Sequence, residues 1–207
     1  MSVDEATPRF QIVEAGSKDL IEKCKVIRIE VFVNEQQFPL EAEIDEYDEE
    51  PTTIHLLCME AATSVPVGTL RMYPSSSSYD RPGLNADQPD ARIVHRFKLG
   101  RVCILQRYRK FKLGSKMIEA GHALLRQRIL ERANDNSPEG PTHIPDLPST
   151  KEAVHRATML EVHLHSQIPA IGFYERCGYK RYGDEFMEDG ASHMAMLARL
   201  PLLDAKS

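Results

Sequence analysis

The chain has 207 residues, 42% of them hydrophobic and 28% charged, with a formal net charge of −5. That length suits the core of one globular domain, and the negative balance argues against general nucleic-acid affinity, which needs a broad basic surface. No apolar run approaches the roughly 18 residues of a membrane span, and the cysteines Cys24, Cys58, Cys103 and Cys177 form no CxxC pair. A cytoplasmic protein with reduced thiols and no membrane partner is therefore expected, and its acidic start, Met1-Ser2-Val3-Asp4-Glu5, fits that.

Phe10–Glu14 alternates as a strand does, and Gly16-Ser17-Lys18-Asp19 then offers a turn with a helix N-cap. Leu20, Cys24, Ile27 and Val31 recur at three and four, which predicts a helix from Leu20 to Asn34 with one buried face. Glu41 to Glu50 carries seven acids with little to bury and reads as a surface loop or short helix. Thr53–Ala61 and Pro66–Tyr73 read as an antiparallel hairpin. A breaker-rich insertion follows over 74–90.

Arg92–Leu99 alternates in part, and Gly100–Leu105 is an apolar strand that feeds the basic turn Arg109-Lys110-Phe111-Lys112-Leu113-Gly114-Ser115. This turn opens a long amphipathic helix with Leu113, Met117, Gly121, Leu124 and Ile129 along one stripe. A helix start exposes unpaired N–H groups and the positive end of the dipole, so the joint can cradle a phosphate beside Arg109, Lys110 and Lys112. An ordinary basic helix start is the bland alternative. A second insertion, 134–150, is rich in Pro, Asn and Gly. Met159–His165 is an alternating strand, Ser166 or Gln167 can cap a short helix with Pro169 in its first turn, and Gly178 closes that helix. Tyr179–Phe186 and Ser192–Arg199 read as a terminal pair of strands.

This order of elements resembles the GNAT superfamily of N-acetyltransferases. The family's phosphate-loop pattern is Gln or Arg, two residues, Gly, one residue, then Gly or Ala. Arg109-Lys110-Phe111-Lys112-Leu113-Gly114 occupies it, with Lys112 where the family has its first glycine. The second signature, an alanine followed by Phe-Tyr and then Gly-aromatic, is matched by Ala170-Ile171-Gly172-Phe173-Tyr174-Glu175-Arg176-Cys177-Gly178-Tyr179. Val31-Phe32-Val33-Asn34-Glu35-Gln36, then Glu43, Asp45, Asp48, His55 and the stretch Glu188 to Met194, is similar to the ElaA-like branch. The resemblance implies an α/β, three-layer fold. Its twisted mixed sheet would have about six or seven strands with helices on both faces, in one acyl-CoA N-acyltransferase domain over 1–207.

It also implies acetyl-CoA as co-substrate and N-acetylation by direct attack in a ternary complex. Leu113, Gly114 and Ser115, with Arg109, Lys110 and Lys112, would hold the pyrophosphate. Val102, Cys103 and Ile104 would pair with the pantetheine amides, or serve only as core. Gln167, where many members carry Asn, and Ala170 and Phe173 would also meet the cofactor. Tyr174 matches the family tyrosine that hydrogen-bonds the sulfur, and its alternative is a core tyrosine. Cys103 lies close enough in that scheme for a thiol role.

For the base, His193 and Glu35 stand beside His55 and Glu188 as alternatives. His163 and His165 share a strand face, but no third ligand declares itself and no metal is expected. The acidic stretch can steer a cationic amine. Arg71 and Arg101 can grip a substrate carboxylate or pair with those acids. The acceptor thus stays open between a polyamine, an amino-acid-like metabolite and a protein amine, and a homodimer stays open too. The rival function is a non-catalytic protein that binds coenzyme A or acetyl-CoA.

Overall fold

The computed structural model describes residues 8–75, 93–134 and 159–202. Apart from their first residues, both expected insertions lie outside these. The strands are β1 Phe10–Glu14, β2 Ile54–Glu60, β3 Pro66–Pro74, β4 Ile93–Ile104, β5 Met159–Gln167, β6 Lys180–Arg181, β7 Phe186–Glu188 and β8 Ala191–Pro201. Among the described residues they form one eight-stranded sheet in the order β1-β2-β3-β4-β5-β8-β6, with β7 also on β8. Expectation and structure differ at the end of the chain. Tyr179 to Phe186 gives two short strands, β6 and β7, both paired to β8, which brings the sheet to eight. The two partial strands read around Gly100 are one strand, β4, whose register on β3 shifts between Thr69 and Arg71.

Helix α1, Lys18–Arg28, begins where Ser17 takes extended backbone and its Oγ accepts from the Leu20 N–H. Its continuation is not α-helical as far as Asn34. Ile29–Glu35 widens into a π turn, with Gln36 N–H donating to the Val31 carbonyl. Such widenings cluster at functional sites because they re-aim side chains. Helix α2, Leu113–Asn134, buries Leu113, Met117, Ile118, Leu125 and Ile129. Leu125 rather than Leu124 completes its stripe, since the helix turns 3.6 residues per revolution.

The two helices take opposite faces of the sheet, and β2 shows why. Its side chains alternate: Leu56 and Cys58 join the core with α2, while Leu57 joins the cluster of Cys24, Ile27, Val31 and Cys103 with α1. The middle layer is thus the sheet, covered on both sides as the sequence leads one to expect.

Candidate active site

Among the described strands only the β4–β5 neighbours run parallel, and their pairing ends at Lys98 and His163. Beyond that point β4 goes on pairing with β3 through Ile104, and β5 goes on pairing with β8 through Gln167. The sheet therefore splits between them. A cleft of about 360 Å³ opens there, lined on the β4 side by Lys98, Leu99, Gly100, Arg101 and Val102, and on the β5 side by His165, Gln167, Ala170 and Tyr174.

The split leaves a backbone edge. Leu105 N–H donates to the Val67 carbonyl, and Cys103 faces Thr69, so by alternation the amides of Val102 and Ile104 point to the open side. The side chains of Cys103 and Ile104 enter the two cores, while Val102 lines the cleft. Burial pushes the Cys103 thiol far up, so it stays protonated and is no ready nucleophile.

At the mouth, a 3-10 turn over Gln106–Phe111 ends on Lys112, which has φ 56° and ψ 30°. That left-handed conformation explains why the family pattern has glycine here. Lys112 adopts it with its side chain exposed. Gly114 is tightly placed for another reason: a Cβ there would lie 3.0 Å from Phe173 Cζ, so the ring would have to give way by a few tenths of an ångström. The basic turn and the second signature therefore touch.

Arg109 is a strut. Its Nε donates to the Ile104 carbonyl at 3.0 Å, and its two terminal nitrogens meet both oxygens of Glu35 at 2.6 Å. Glu35 is thus turned to Arg109, whereas its neighbour Gln36 lines the cleft and accepts from Gln167 Nε2 at 3.1 Å.

Tyr174 and His193 line the same cleft. Burial, with smaller contributions from Cys177 and Cys103, raises the Tyr174 phenol and keeps it protonated. Its ring is held edge-on by Phe173 and Tyr179, with centroids 4.9 and 5.9 Å away. His193 is 7% exposed, and its Nδ1 lies 3.0 Å from the Ala191 carbonyl. A carbonyl only accepts, so Nδ1 carries a proton, and in the neutral imidazole the lone pair is on Nε2.

Glu188 lies 3.0 Å from His165 Nδ1. Burial alone would raise its pKa, but the His165 hydrogen bond and the charges of His165, Lys98 and His193 bring it down to about 2. His163 is bound to Tyr182 and Glu161 instead. Among the described residues no cluster of His, Cys, Asp and Glu could hold a metal ion.

The acidic stretch does form short turns, Leu40–Ala42 and Glu46–Asp48, with Glu41, Glu46, Glu49 and Glu50 exposed, but two of its acids turn inward. Glu43 and Asp48 of the acidic stretch are buried, 5% and 3% exposed. Arg71 holds both oxygens of Asp45 at 2.6 and 2.7 Å and Asp48 at 2.7 Å. Arg101 donates to Asp45 and the Ala42 carbonyl and faces Glu43, and buried Arg28 pairs with Asp48 and Glu43. Burial would raise Asp48, but Arg28 and Arg71 outweigh it and hold the group low. Glu43 is raised because burial outweighs its arginines.

Of the two alternatives open for Arg71 and Arg101, the structure takes internal pairing. Arg101 itself has φ 55°, at the β4 bulge. His55 is buried beside this network, and burial lowers it to about 4, so it is neutral. Phe32, Phe38, Tyr73 and Asp189 also line the cleft, and sequence reasoning passed over them. Only Asp189-Gly190 carried a local signal, the two-residue turn of a hairpin.

A sheet split between parallel neighbours, with an open amide edge, a basic helix start at its mouth and a buried phenol and imidazole inside, is the framework of an acyltransferase. The Acetyltransferase (GNAT) domain description matches residues 27–119 in one version and 149–200 in another. A "putative acetyltransferase" of Bacillus subtilis is 32% identical over 82% of this chain and 83% of its own. The chain belongs to the GNAT family of acetyltransferases. Among solved structures, Escherichia coli ElaA superposes with a TM-score of 0.60 at 20% identity, over 93% of this chain and 99% of its own. An aminoglycoside 6'-N-acetyltransferase complexed with coenzyme A superposes at 0.51 and 10% identity, over 96% and 99%. Both are likenesses of fold.

Proposed function

We propose that this chain moves an acetyl group from acetyl-CoA to a primary amine by direct attack in a ternary complex. The observation that carries this is the meeting of the open Val102 edge with Tyr174 and His193 in one cleft. The N–H groups of Leu113, Gly114 and Ser115 hold the pyrophosphate, and exposed Lys110 and Lys112 add charge. The Arg109–Glu35 pair is exposed and worth under about 1 kcal/mol, so a diphosphate can recruit Arg109 from it. Pantetheine lies along the Val102 and Ile104 edge as an added strand does. Gln167, Ala170 and Phe173 flank it.

His193 Nε2 takes a proton from the attacking amine, directly or through one water. The amine nitrogen bonds to the thioester carbon, and the Val102 N–H receives the developing oxyanion. The C–S bond then breaks. Tyr174 donates a hydrogen bond to the departing sulfur, and its raised pKa makes it a stabiliser of the thiolate more than a strong acid. Glu188, an anion down to about pH 2 and held by His165, is a poor base and orients that histidine.

The test is thiol release from acetyl-CoA with a panel of amines. Tyr174→Phe should lower kcat about 100-fold, with little change in the dissociation constant for coenzyme A. Equal turnover in the variant removes the role. Thermal stabilisation by coenzyme A with no thiol release from any amine would favour a binding protein.

A further inference from the structure

The acceptor side of the cleft has charges of both signs, and their pairing says what they can recognise. Arg71 and Arg101 are committed to Asp45, Asp48, Glu43 and the Ala42 carbonyl. With Arg28 they make three guanidiniums on three carboxylates. A substrate carboxylate could draw Arg71 away only by breaking its two-pronged hold on Asp45 and leaving buried Asp48 to Arg28 alone. Lys98 lies 3.4 Å from His165 Nδ1, and its charge acts on Glu188.

Asp189 is different. It lines the cleft, is exposed, and has no ion-pair or hydrogen-bond partner among the described residues. Its place is set by the backbone, since Asp189 and Gly190 take φ 50° and 79° in the two-residue turn between β7 and β8. Two residues into β8, buried His193 lends its Nε2 lone pair to the same cleft, with Nδ1 already spoken for by Ala191. Phe32, Phe38 and Tyr73 add aromatic surface to the lining. An α-carboxylate brought here would face Asp189 and Glu188 with no uncommitted arginine to receive it.

We propose that the acceptor is a small alkylamine carrying a second positive charge and no carboxylate, with Asp189 the specificity-determining residue for that second charge. This rests on the acyl-transfer reading of the same cleft. The balance of the step is ordinary: one amine nitrogen gains the acetyl carbon, the C–S bond breaks, and the amine proton passes to His193. The second ammonium keeps its proton and sits against Asp189.

The experiment compares 1,4-diaminobutane and spermidine with butylamine, free lysine, lysinamide and a short peptide, by thiol release, in the protein and in Asp189→Asn. Asparagine preserves the turn, because Asn-Gly suits it as Asp-Gly does. The diamines should show the lower KM, and the diamine-to-butylamine KM ratio should rise about fivefold in Asp189→Asn, the scale of one exposed charge pair. High salt should shrink the preference in the protein itself. Free lysine or the peptide outperforming the diamines overturns the proposal, as does an unchanged KM ratio in the variant. Absence of thiol release from every amine, with acetyl-CoA still bound, sinks the acyl-transfer reading and this one with it.

Discussion

The two ends of the cleft are held by different kinds of bond. At the mouth, Lys112 to Ser115 are consecutive, and the Arg109–Glu35 pair beside them is exposed, with side chains 43% and 33% accessible. At the acceptor wall the partners are 20, 26 and 56 positions apart, Arg28 to Asp48, Arg71 to Asp45 and Arg101 to Asp45. Arg28 and Asp48 are almost wholly buried. Water competes for the first set and is excluded from Arg28, Arg71 and Asp48 in the second, so deleting one partner should be cheap at the mouth and costly at the buried part of the wall. On the proposed reading, a cofactor released each cycle gains from the weak end, and a wall that must keep its shape gains from the strong one.

The sharpest way to break this contrast is Asp48→Asn, which takes away the carboxylate that two buried guanidiniums share and leaves Arg28 only its longer contact to Glu43, while Arg71 keeps Asp45. It should cost about 3–5 kcal/mol of unfolding free energy by denaturant titration. Its pH dependence has a definite sign. Asp48 is held low in the fold, so its stabilisation is full above the unfolded carboxyl range and is lost as pH falls. Glu161 and Glu188, both near 2, act in the same sense, as do neutral His55 and His122 near 4, whose unfolded forms already bind protons below about 6.5. Glu43, raised, runs the other way. Stability should therefore decline on acidification from about pH 6.5. Asp48→Asn should flatten the acid part of that decline, and an unaltered slope would remove Asp48 as its source.

At the mouth, Lys112→Gly should stabilise the protein by about 0.5–1 kcal/mol, the left-handed penalty less the entropy glycine adds to the unfolded chain. A destabilised variant would mean the lysine side chain earns its place by contacts. The smallest effect belongs to Arg109→Ala, under about 1 kcal/mol in stability. A loss on the Asp48 scale would erase the contrast between the two ends.

Legibility in the sequence follows the same division. The hairpin, α2, the basic turn and the second signature each occupy one short window, where periodicity and turn chemistry act, and each is found where the sequence places it. The run Glu41 to Glu50 reads as solvated surface because nothing within it says that Arg28, Arg71 and Arg101 will arrive from three other elements. Internal pairing was one of two options for Arg71 and Arg101, and choosing between them takes the fold. The π turn escaped for a related reason: Ile29 to Glu35 keeps apolar spacing compatible with an α-helix, and its widening depends on the tertiary setting. Glu35 and Arg109 were assigned separate tasks, and their mutual grip joins residues 74 apart.

The approach of Phe173 to Gly114 makes two distant words of the sequence into one. A methyl group at 114 asks the ring at 173 to move by a few tenths of an ångström, so a change at one position is felt at the other. An engineer widening the cofactor's berth would do well to treat the two positions as a single letter.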